Sequence, residues 1–302
     1  MNKICTYKVA EHLFRFILPD KEKLWDRLDQ AYAPFATDET LNADYGQDLL
    51  FTLELCKEIP LSPMECIYDS PTEDGETVVK MYKSDDGWYF ETSPDHRKST
   101  TAWIWASKDF SRGLIKLESM AFGDALFSIN NAAMLLYAFA SACKGTIEMH
   151  ASVIENSGKA YLFLGHSGTG KSTHSSLWLK HIEGSTLMND DNPIVRIWED
   201  GSVIAYGSPW SGKTPCYKNI SAPVGAYVKI RQCPENIIRK MSVLEAYATL
   251  FSSISGIKDD DSAIADGLNS TLSGILSKVP CYLLDCRPDE EAARVCADTV
   301  RY

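Results

Sequence analysis

The segment at residues 165–172 reads GHSGTGKS, and it constrains the fold of this 302-residue chain more than any other feature. It fits the Walker A pattern G-x-x-x-x-G-K-[ST], which requires a strand before it and a helix after it. Residues 160–164 form a short apolar run, and a helical pattern continues from the segment to about His181. The segment therefore predicts a phosphate-binding loop. The alternative is a glycine-rich turn that matches by chance.

Each part of this loop has a chemical reason. Glycines let backbone N–H groups and the N-terminus of the following helix surround a phosphate. Lys171 supplies a positive charge to the β- and γ-phosphate oxygens, and Ser172 offers a hydroxyl to Mg²⁺. The implied cofactors are ATP and Mg²⁺, with Mn²⁺ as an alternative metal. The predicted nucleotide-binding residues are Gly165, His166, Ser167, Gly168, Thr169, Gly170, Lys171, Ser172 and Thr173.

The same pattern recurs at residues 207–214, GSPWSGKT, where its surroundings argue against a phosphate loop. Pro215 follows at once, and Pro209 removes one of the backbone donors that such a loop needs. The stretch CYKNISA that comes next is a poor helix former. We interpret this match as false, although Lys213 and Lys218 could bind an anionic substrate.

A pair of adjacent acids, Asp190 and Asp191, follows a short segment that reads as a strand. A P-loop enzyme needs carboxylates to hold Mg²⁺ or to orient the nucleophile. Neighbouring side chains on a strand point to opposite faces, so one acid could bind metal while the other acts as a base. A solvated turn is the alternative for this pair. His150 precedes the P-loop strand, and on spacing alone a structural role for it is the more common one.

The first part of the chain, residues 1–120, is predicted to be a β-rich domain, with a hairpin around residues 82–90 and a short helix at 21–31. An apolar helix is predicted at residues 130–144, from an asparagine start signal and Gly145 as a stop. We place the domain boundary near residues 120–123. From Gly145 onward, strands and helices alternate, and Ser242 with Glu245 forms a capping box.

The composition limits the function classes. With 30 Lys+Arg against 41 Asp+Glu the net charge is -11, which argues against a nucleic-acid or membrane surface as partner. Nine scattered cysteines without a CxxC pair predict reduced thiols. Residues 1–8 lack the apolar region of a signal peptide, and the longest strongly apolar stretch is too short to span a bilayer. We therefore expect a soluble, cytoplasmic protein, and a homo-oligomer is compatible with the sequence.

Three segments in order, MHAS at 149–152, the loop at 165–172 and Asp190-Asp191, resemble the HPr kinase/phosphorylase and phosphoenolpyruvate carboxykinase superfamily. The likeness is greatest to HPr-kinase-related proteins and covers about residues 125–300. It implies an α/β fold: a P-loop-containing, mixed-sheet core of carboxykinase/HPr kinase type at residues 121–302, preceded by the smaller β-rich (α+β) domain.

The resemblance also implies roles for individual residues. Lys171 would bind the triphosphate, while Ser172, Asp190 and Asp191 are the metal candidates. Asp191 matches the acid that takes the proton from the accepting hydroxyl in HPr kinases, and His150 matches an active-site histidine or a metal ligand. We therefore expect an ATP-dependent kinase whose acceptor is a Ser or Thr of a protein or peptide. The alternatives are a kinase acting on an anionic small molecule and a nucleotide-binding regulator without turnover.

Overall fold

The computed structural model describes residues 1–37, 49–70, 77–212, 214–254 and 262–301. The chain divides into two compact units. One comprises Met1–Ser141 and Gly256–Ile264, and the other comprises Ala142–Ser255 and Ala265–Tyr302. Each unit contains a mixed sheet and packs helices against it, so the chain has a mixed α/β structure.

Among the described residues, the first unit has eight strands: β1 (Asn2–Val9), β2 (His12–Pro19), β3 (Leu49–Leu55), β4 (Met64–Asp69), β5 (Val78–Ser84), β6 (Gly87–Ser93), β7 (Ala102–Ala106) and β8 (Arg112–Leu117). Their order is β1-β2-β3-β8-β7-β6-β5-β4, and only the β2–β3 and β3–β8 pairs are parallel among them. The helices are α1 (Glu22–Tyr32) and α2 (Phe122–Ser141), with a 3-10 turn at Ala33–Phe35.

The predicted hairpin is confirmed, because β5 and β6 pair directly across Asp85 and Asp86. The predicted helix at 21–31 is confirmed as α1, whose Leu24, Trp25 and Leu28 are buried. A β-rich first part of the chain is thus observed, and many of its aromatic side chains, among them Trp25, Trp88 and Phe90, are buried.

Helix α2 differs from its prediction at both ends and in its placement. It begins eight residues before the expected start. Asn130, the predicted start residue, lies inside the helix, and its side-chain oxygen accepts a hydrogen bond of 2.9 Å from the Tyr32 hydroxyl. The helix packs within the first unit: the buried Tyr137 hydroxyl donates to the Val9 carbonyl at 3.0 Å. This helix therefore belongs to the first unit, whereas it was predicted to follow the domain boundary.

The second unit contains nine strands within the described ranges: β9 (Thr146–Glu148), β10 (Ala151–Asn156), β11 (Lys159–Leu164), β12 (Thr186–Asp191), β13 (Ile194–Ile197), β14 (Val203–Tyr206), β15 (Ser221–Gln232), β16 (Ile237–Lys240) and β17 (Cys281–Cys286). The order along the sheet is β12-β10-β11-β15-β14-β13-β9, with β17 also beside β15 and β16 beside β17. The remaining helices are α3 (Lys171–His181), α4 (Val243–Ser253), α5 (Ser262–Leu276) and α6 (Glu290–Val300).

Strand β15 pairs with three other strands of this unit. Its first residues pair with β14, and the rest runs parallel to both β11 and β17. Because successive side chains in a strand point to opposite faces, Ile230 and Lys229 face different sides of the sheet. Ile230 packs in the apolar core with Trp178 of α3. Lys229 lies on the other side, beside Thr249 of α4.

Several further predictions can be checked. The capping box is confirmed, since the Ser242 side chain accepts from the Glu245 N–H and the Glu245 carboxylate accepts from the Ser242 N–H. Helix α5 and strand β16 were not predicted. All nine cysteines are free thiols. No helix in the described part of the chain is long and apolar enough to cross a membrane.

Candidate phosphate-binding and acid-pair site

The loop at residues 165–170 connects β11 directly to α3, as its sequence predicted. Gly170 adopts a φ of +104° as the N-cap of α3, a conformation that side-chain-bearing residues rarely take. A Cβ on Gly165 would lie 2.5 Å from the Thr169 hydroxyl. No side chain caps the N-terminus of α3. Its first backbone N–H groups are therefore available to an anion, with the positive end of the helix dipole behind them.

Hydrogen bonds hold the loop in shape. The Thr169 hydroxyl donates to the His166 carbonyl at 2.8 Å, and the Gln232 amide donates to the Gly168 carbonyl at 3.2 Å. Gln232 is the last residue of β15, the strand next to β11. The neighbouring strand thus supports the loop, and a short-range sequence motif does not reveal this contact.

Lys171 lies at the centre of the loop and is buried. Its ammonium donates to the Gly165 carbonyl at 2.9 Å and to the His166 carbonyl at 3.3 Å. It also lies 2.9 Å from Nε2 of His150. Burial lowers the pKa of Lys171, while Asp191 and Asp190 oppose that shift. The two acids thereby favour the cationic form that phosphate binding needs.

His150 connects Lys171 to the acid pair. Its Nε2 atom is 3.3 Å from a carboxylate oxygen of Asp191, so one ring nitrogen faces both groups. Burial lowers the pKa of His150, and the Lys171 charge lowers it further, while Asp191 raises it. Its backbone N–H donates to the Ser253 carbonyl at 2.7 Å, which fixes the histidine against the end of α4. A neutral imidazole in this position can exchange a proton with either neighbour.

The two acids end strand β12 and face different partners. Asp190 is nearly buried, and its Oδ1 accepts a hydrogen bond of 3.0 Å from the Ser172 hydroxyl. Asp191 is more exposed, faces His150 and has a φ of +144°. Non-glycine residues held in such conformations cost about 1–3 kcal/mol and cluster at functional sites. One carboxylate therefore faces the Ser172 hydroxyl and the other faces His150.

The false Walker A match forms a second wall of this site. The Gly212 N–H donates to the Asp190 carbonyl at 2.7 Å, and the Ser211 hydroxyl donates to the same oxygen at 3.2 Å. A Cβ on Gly212 would lie 3.0 Å from Cβ of Asp191. The described residues after position 213 form no helix up to β15, so the motif is not a P-loop. Its glycine lets the chain approach the acid pair closely.

Lys213 and Lys218 were the two residues predicted to bind an anionic substrate. Lys213 lies outside the described residues. Lys218 is exposed, and its ammonium donates to the Leu187 carbonyl at 2.7 Å. Leu187 lies in β12 before the acid pair, so the structure places this lysine beside the strand and shows no contact between it and Asp191.

Asn189 was not predicted to have a role. It is fully buried, and its amide donates to the Ser208 hydroxyl at 3.2 Å and to the Trp210 carbonyl at 3.1 Å. Its side-chain oxygen accepts from the Asn192 N–H at 3.0 Å. Asn189 thus fixes the 207–212 loop to the strand that carries the acids. The sequence signal for this role was an amide side chain within a predicted strand, directly before the acid pair.

The donor set of this site fits a hard divalent cation. Ser172 and Asp190 offer oxygen atoms that already lie 3.0 Å apart. Mg²⁺ is commonly bound through one or two carboxylates together with substrate phosphates and water. Within the described residues, no group of three or more His, Cys, Asp or Glu side chains is arranged to hold a metal ion. The residues therefore fit a metal that is shared with a phosphate ligand rather than enclosed by the protein.

Glu148, at the end of β9, is a buried carboxyl group. It is 1% exposed, and neither oxygen has a hydrogen-bond partner among the described residues. Burial raises its pKa well above the ordinary value of 4.5, and Asp191 raises it further. The protonated form is therefore favoured in the folded protein.

We expect Glu148→Gln to gain stability over the wild type as pH rises. With a raised pKa in the folded state, the unfolded chain releases this proton first. Wild-type stability therefore falls above pH 4.5 by up to about 1.4 kcal/mol per pH unit until the folded carboxyl ionises. Urea unfolding at pH 5, 6.5 and 8 measures the difference, with the exposed Glu183→Gln as the matched control. Parallel pH dependence in the wild type and Glu148→Gln would contradict it.

Comparison with known proteins finds similarity among solved structures. No family model matches the sequence, and no curated protein matches it. Among solved structures, the Hpr(Ser) kinase/phosphatase from Coxiella burnetii matches with a TM-score of 0.30 and 12% sequence identity. The match covers 50% of this chain and 94% of that one.

Proposed function

We propose that this protein is an ATP-dependent kinase that transfers the γ-phosphoryl group to a hydroxyl. The observation that carries the proposal is a row of three contacting side chains at the N-terminus of α3. Nε2 of His150 lies 2.9 Å from the Lys171 ammonium and 3.3 Å from a carboxylate oxygen of Asp191. A cation for phosphate oxygens and a carboxylate for a hydroxyl proton are the parts that phosphoryl transfer needs.

The residues would divide the reaction as follows. Lys171 and the N–H groups of the loop would bind the β- and γ-phosphates, and Ser172 and Asp190 would hold Mg²⁺, which neutralises phosphate charge when bound. The acceptor oxygen would bond to the γ-phosphorus as the bond from that phosphorus to the β,γ-bridging oxygen breaks. ADP leaves, and Asp191 takes the hydroxyl proton, with His150 beside it.

A cavity next to the loop fits the nucleoside. Its volume is about 540 Å³, and it begins at Gly168 and Gly170 and continues between Leu177 of α3 and Ile230 of β15. Pockets of this size with mostly apolar walls are typical of small-molecule sites. His174 also lines it and is fully buried, and its Nδ1 has no partner in the described residues. Because Nε2 accepts from Trp178 at 3.1 Å, the neutral ring carries its proton on Nδ1 as a free donor.

We expect Leu177→Trp to weaken ATP binding about tenfold, because the larger ring would occupy this cavity. Inorganic tripolyphosphate, which has no base or ribose, should bind equally well to the variant and the wild type. Calorimetric titration with both probes measures this. Leu179→Trp is the matched control, since Leu179 lies on the same helix but is exposed. Equal losses for ATP and tripolyphosphate would place the nucleoside elsewhere.

The proposal as a whole is tested by transfer of label from γ-labelled ATP to a cell lysate, with identification of the labelled species. A labelled protein or peptide supports a protein or peptide kinase, and a labelled metabolite supports a small-molecule kinase. Binding of ATP with neither hydrolysis nor a labelled acceptor would show a regulator instead, and absence of ATP binding would overturn the proposal.

A further inference from the structure

A small cavity opens beside His150, where the acceptor of the proposed reaction would place its hydroxyl. Its volume is about 40 Å³, and it is bounded by His150 and Gly165 on one side and by Lys229, Thr249 and Ser252 on the other. It lies on the face of β15 opposite to the proposed nucleoside cavity, because Lys229 and Ile230 are successive residues of that strand. A volume of this order accommodates one hydroxyl-sized group, since a water molecule takes about 30 Å³ in the liquid.

Lys229 is the unpaired cation of this face. Its side chain is partly buried, and no hydrogen bond or ion pair is found for its ammonium within the described ranges. By contrast, Arg231 is paired with Asp285 and Arg239 with Glu245. An ammonium that is partly withdrawn from water without a partner gains more from an anionic ligand than an exposed or paired one does.

A second cavity continues from the first. Its volume is about 320 Å³, and it shares Lys229 and Thr249 with the small cavity. Arg231 and Arg239 line it further out. The 320 Å³ are enough for a small molecule or a few side chains of a peptide. Lys229 thus stands at the junction between the space for a reacting hydroxyl and the space for the rest of the acceptor.

We propose that Lys229 binds a carboxylate or phosphate group of the acceptor and so directs the acceptor's hydroxyl into the small cavity beside His150. This assignment rests on the proposed function and adds the acceptor class: a hydroxyl compound with an anionic group close to the hydroxyl. Two sources share that chemistry, a serine next to acidic residues in a peptide and a small hydroxy acid. Lys229 is then a specificity-determining residue.

The test compares each anionic acceptor with a neutral counterpart. The probes are a serine peptide flanked by glutamates, the same peptide flanked by glutamines, D-glycerate and glycerol, each with γ-labelled ATP and Mg²⁺. For one anionic probe, wild-type kcat/KM should exceed that of its neutral counterpart at least tenfold. Lys229→Gln should abolish this preference through the KM of the acceptor, while the Kd for ATP changes less than twofold. Lys159→Gln, an exposed lysine of β11, should behave as the wild type.

The outcomes separate the two proposals. Preference for the glutamate peptide identifies an acidic peptide as the source, and preference for D-glycerate identifies a small acid. Equal use of anionic and neutral probes, a preference retained in Lys229→Gln, or no transfer to any anionic probe by an ATP-binding wild type each overturns the role of Lys229. Failure of the wild type to bind ATP overturns the kinase proposal instead.

Discussion

Lys171→Ala is expected to lower kcat/KM for phosphoryl transfer by about a thousandfold, which corresponds to about 4 kcal/mol of transition-state stabilisation. The ammonium is the cation at the centre of the loop, where it reaches the Gly165 carbonyl and His150 at 2.9 Å. Charge on the transferred group is neutralised mainly by such preorganised cations in a P-loop site. No other lysine or arginine of the described residues is placed within the loop itself.

The fold of this variant should persist. Burial lowers the pKa of Lys171, so the folded protein already bears a cost for holding this charge. The melting temperature should therefore change little or rise, while ATP affinity falls. Lys180→Ala is the matched control, because Lys180 lies in the last turn of the same helix and is exposed. Transfer at the wild-type rate by folded Lys171→Ala would remove the basis for the kinase proposal.

Local patterns predicted the secondary structure around the glycine loop correctly. The strand, the glycine loop and the helix of residues 159–181 are contiguous in the chain, and their conformations depend on glycine φ values and apolar periodicity that a sequence displays. The same holds for the strand that ends in Asp190 and Asp191. Where these elements lie relative to one another follows from the parallel and antiparallel pairing of β10, β11 and β12, which no local pattern specifies.

Contacts between distant residues were missed for that reason. The prediction that residues 207–214 are not a P-loop is confirmed. The position of the 207–212 loop against the acid pair, however, depends on the hydrogen bond from the Gly212 N–H to the Asp190 carbonyl and on the buried Asn189. The start of α2 was placed at Asn130, which the structure shows inside the helix. Its side-chain oxygen accepts from the Tyr32 hydroxyl of α1, a tertiary contact that the local sequence does not reveal.

His150 shows the limit of sequence reasoning most clearly. Its position before a strand favoured a structural role, and only the resemblance implied more. In the structure its contacts to Lys171 and Asp191 span 21 and 41 residues, and its backbone is fixed by Ser253, a further 62 residues along the chain from Asp191. A histidine held by three separate segments acquires its environment from the tertiary fold alone.

Asp191→Asn is expected to lower kcat by about 10²–10⁴-fold, the range for loss of a positioned proton acceptor. Asparagine keeps the size of the side chain and removes its charge, and aspartate itself already occupies the +144° backbone at this position. ATP affinity should stay near the wild-type value, since the Lys171 ammonium and the Ser172–Asp190 pair remain. This separates the variant from Lys171→Ala, which should lose both binding and turnover.

The neighbouring acid provides the sharpest comparison. Asp190 accepts from Ser172 at 3.0 Å and does not face His150 in the structure, so Asp190→Asn should raise the Mg²⁺ concentration needed for half-maximal activity. Asp191→Asn should instead leave that concentration nearly unchanged and lower the rate at saturating Mg²⁺. Titration of both variants with Mg²⁺ at saturating ATP distinguishes them. If Asp191→Asn alone shifts the Mg²⁺ requirement and recovers full rate at high Mg²⁺, then Asp191 is the metal ligand, and the proton must leave through His150.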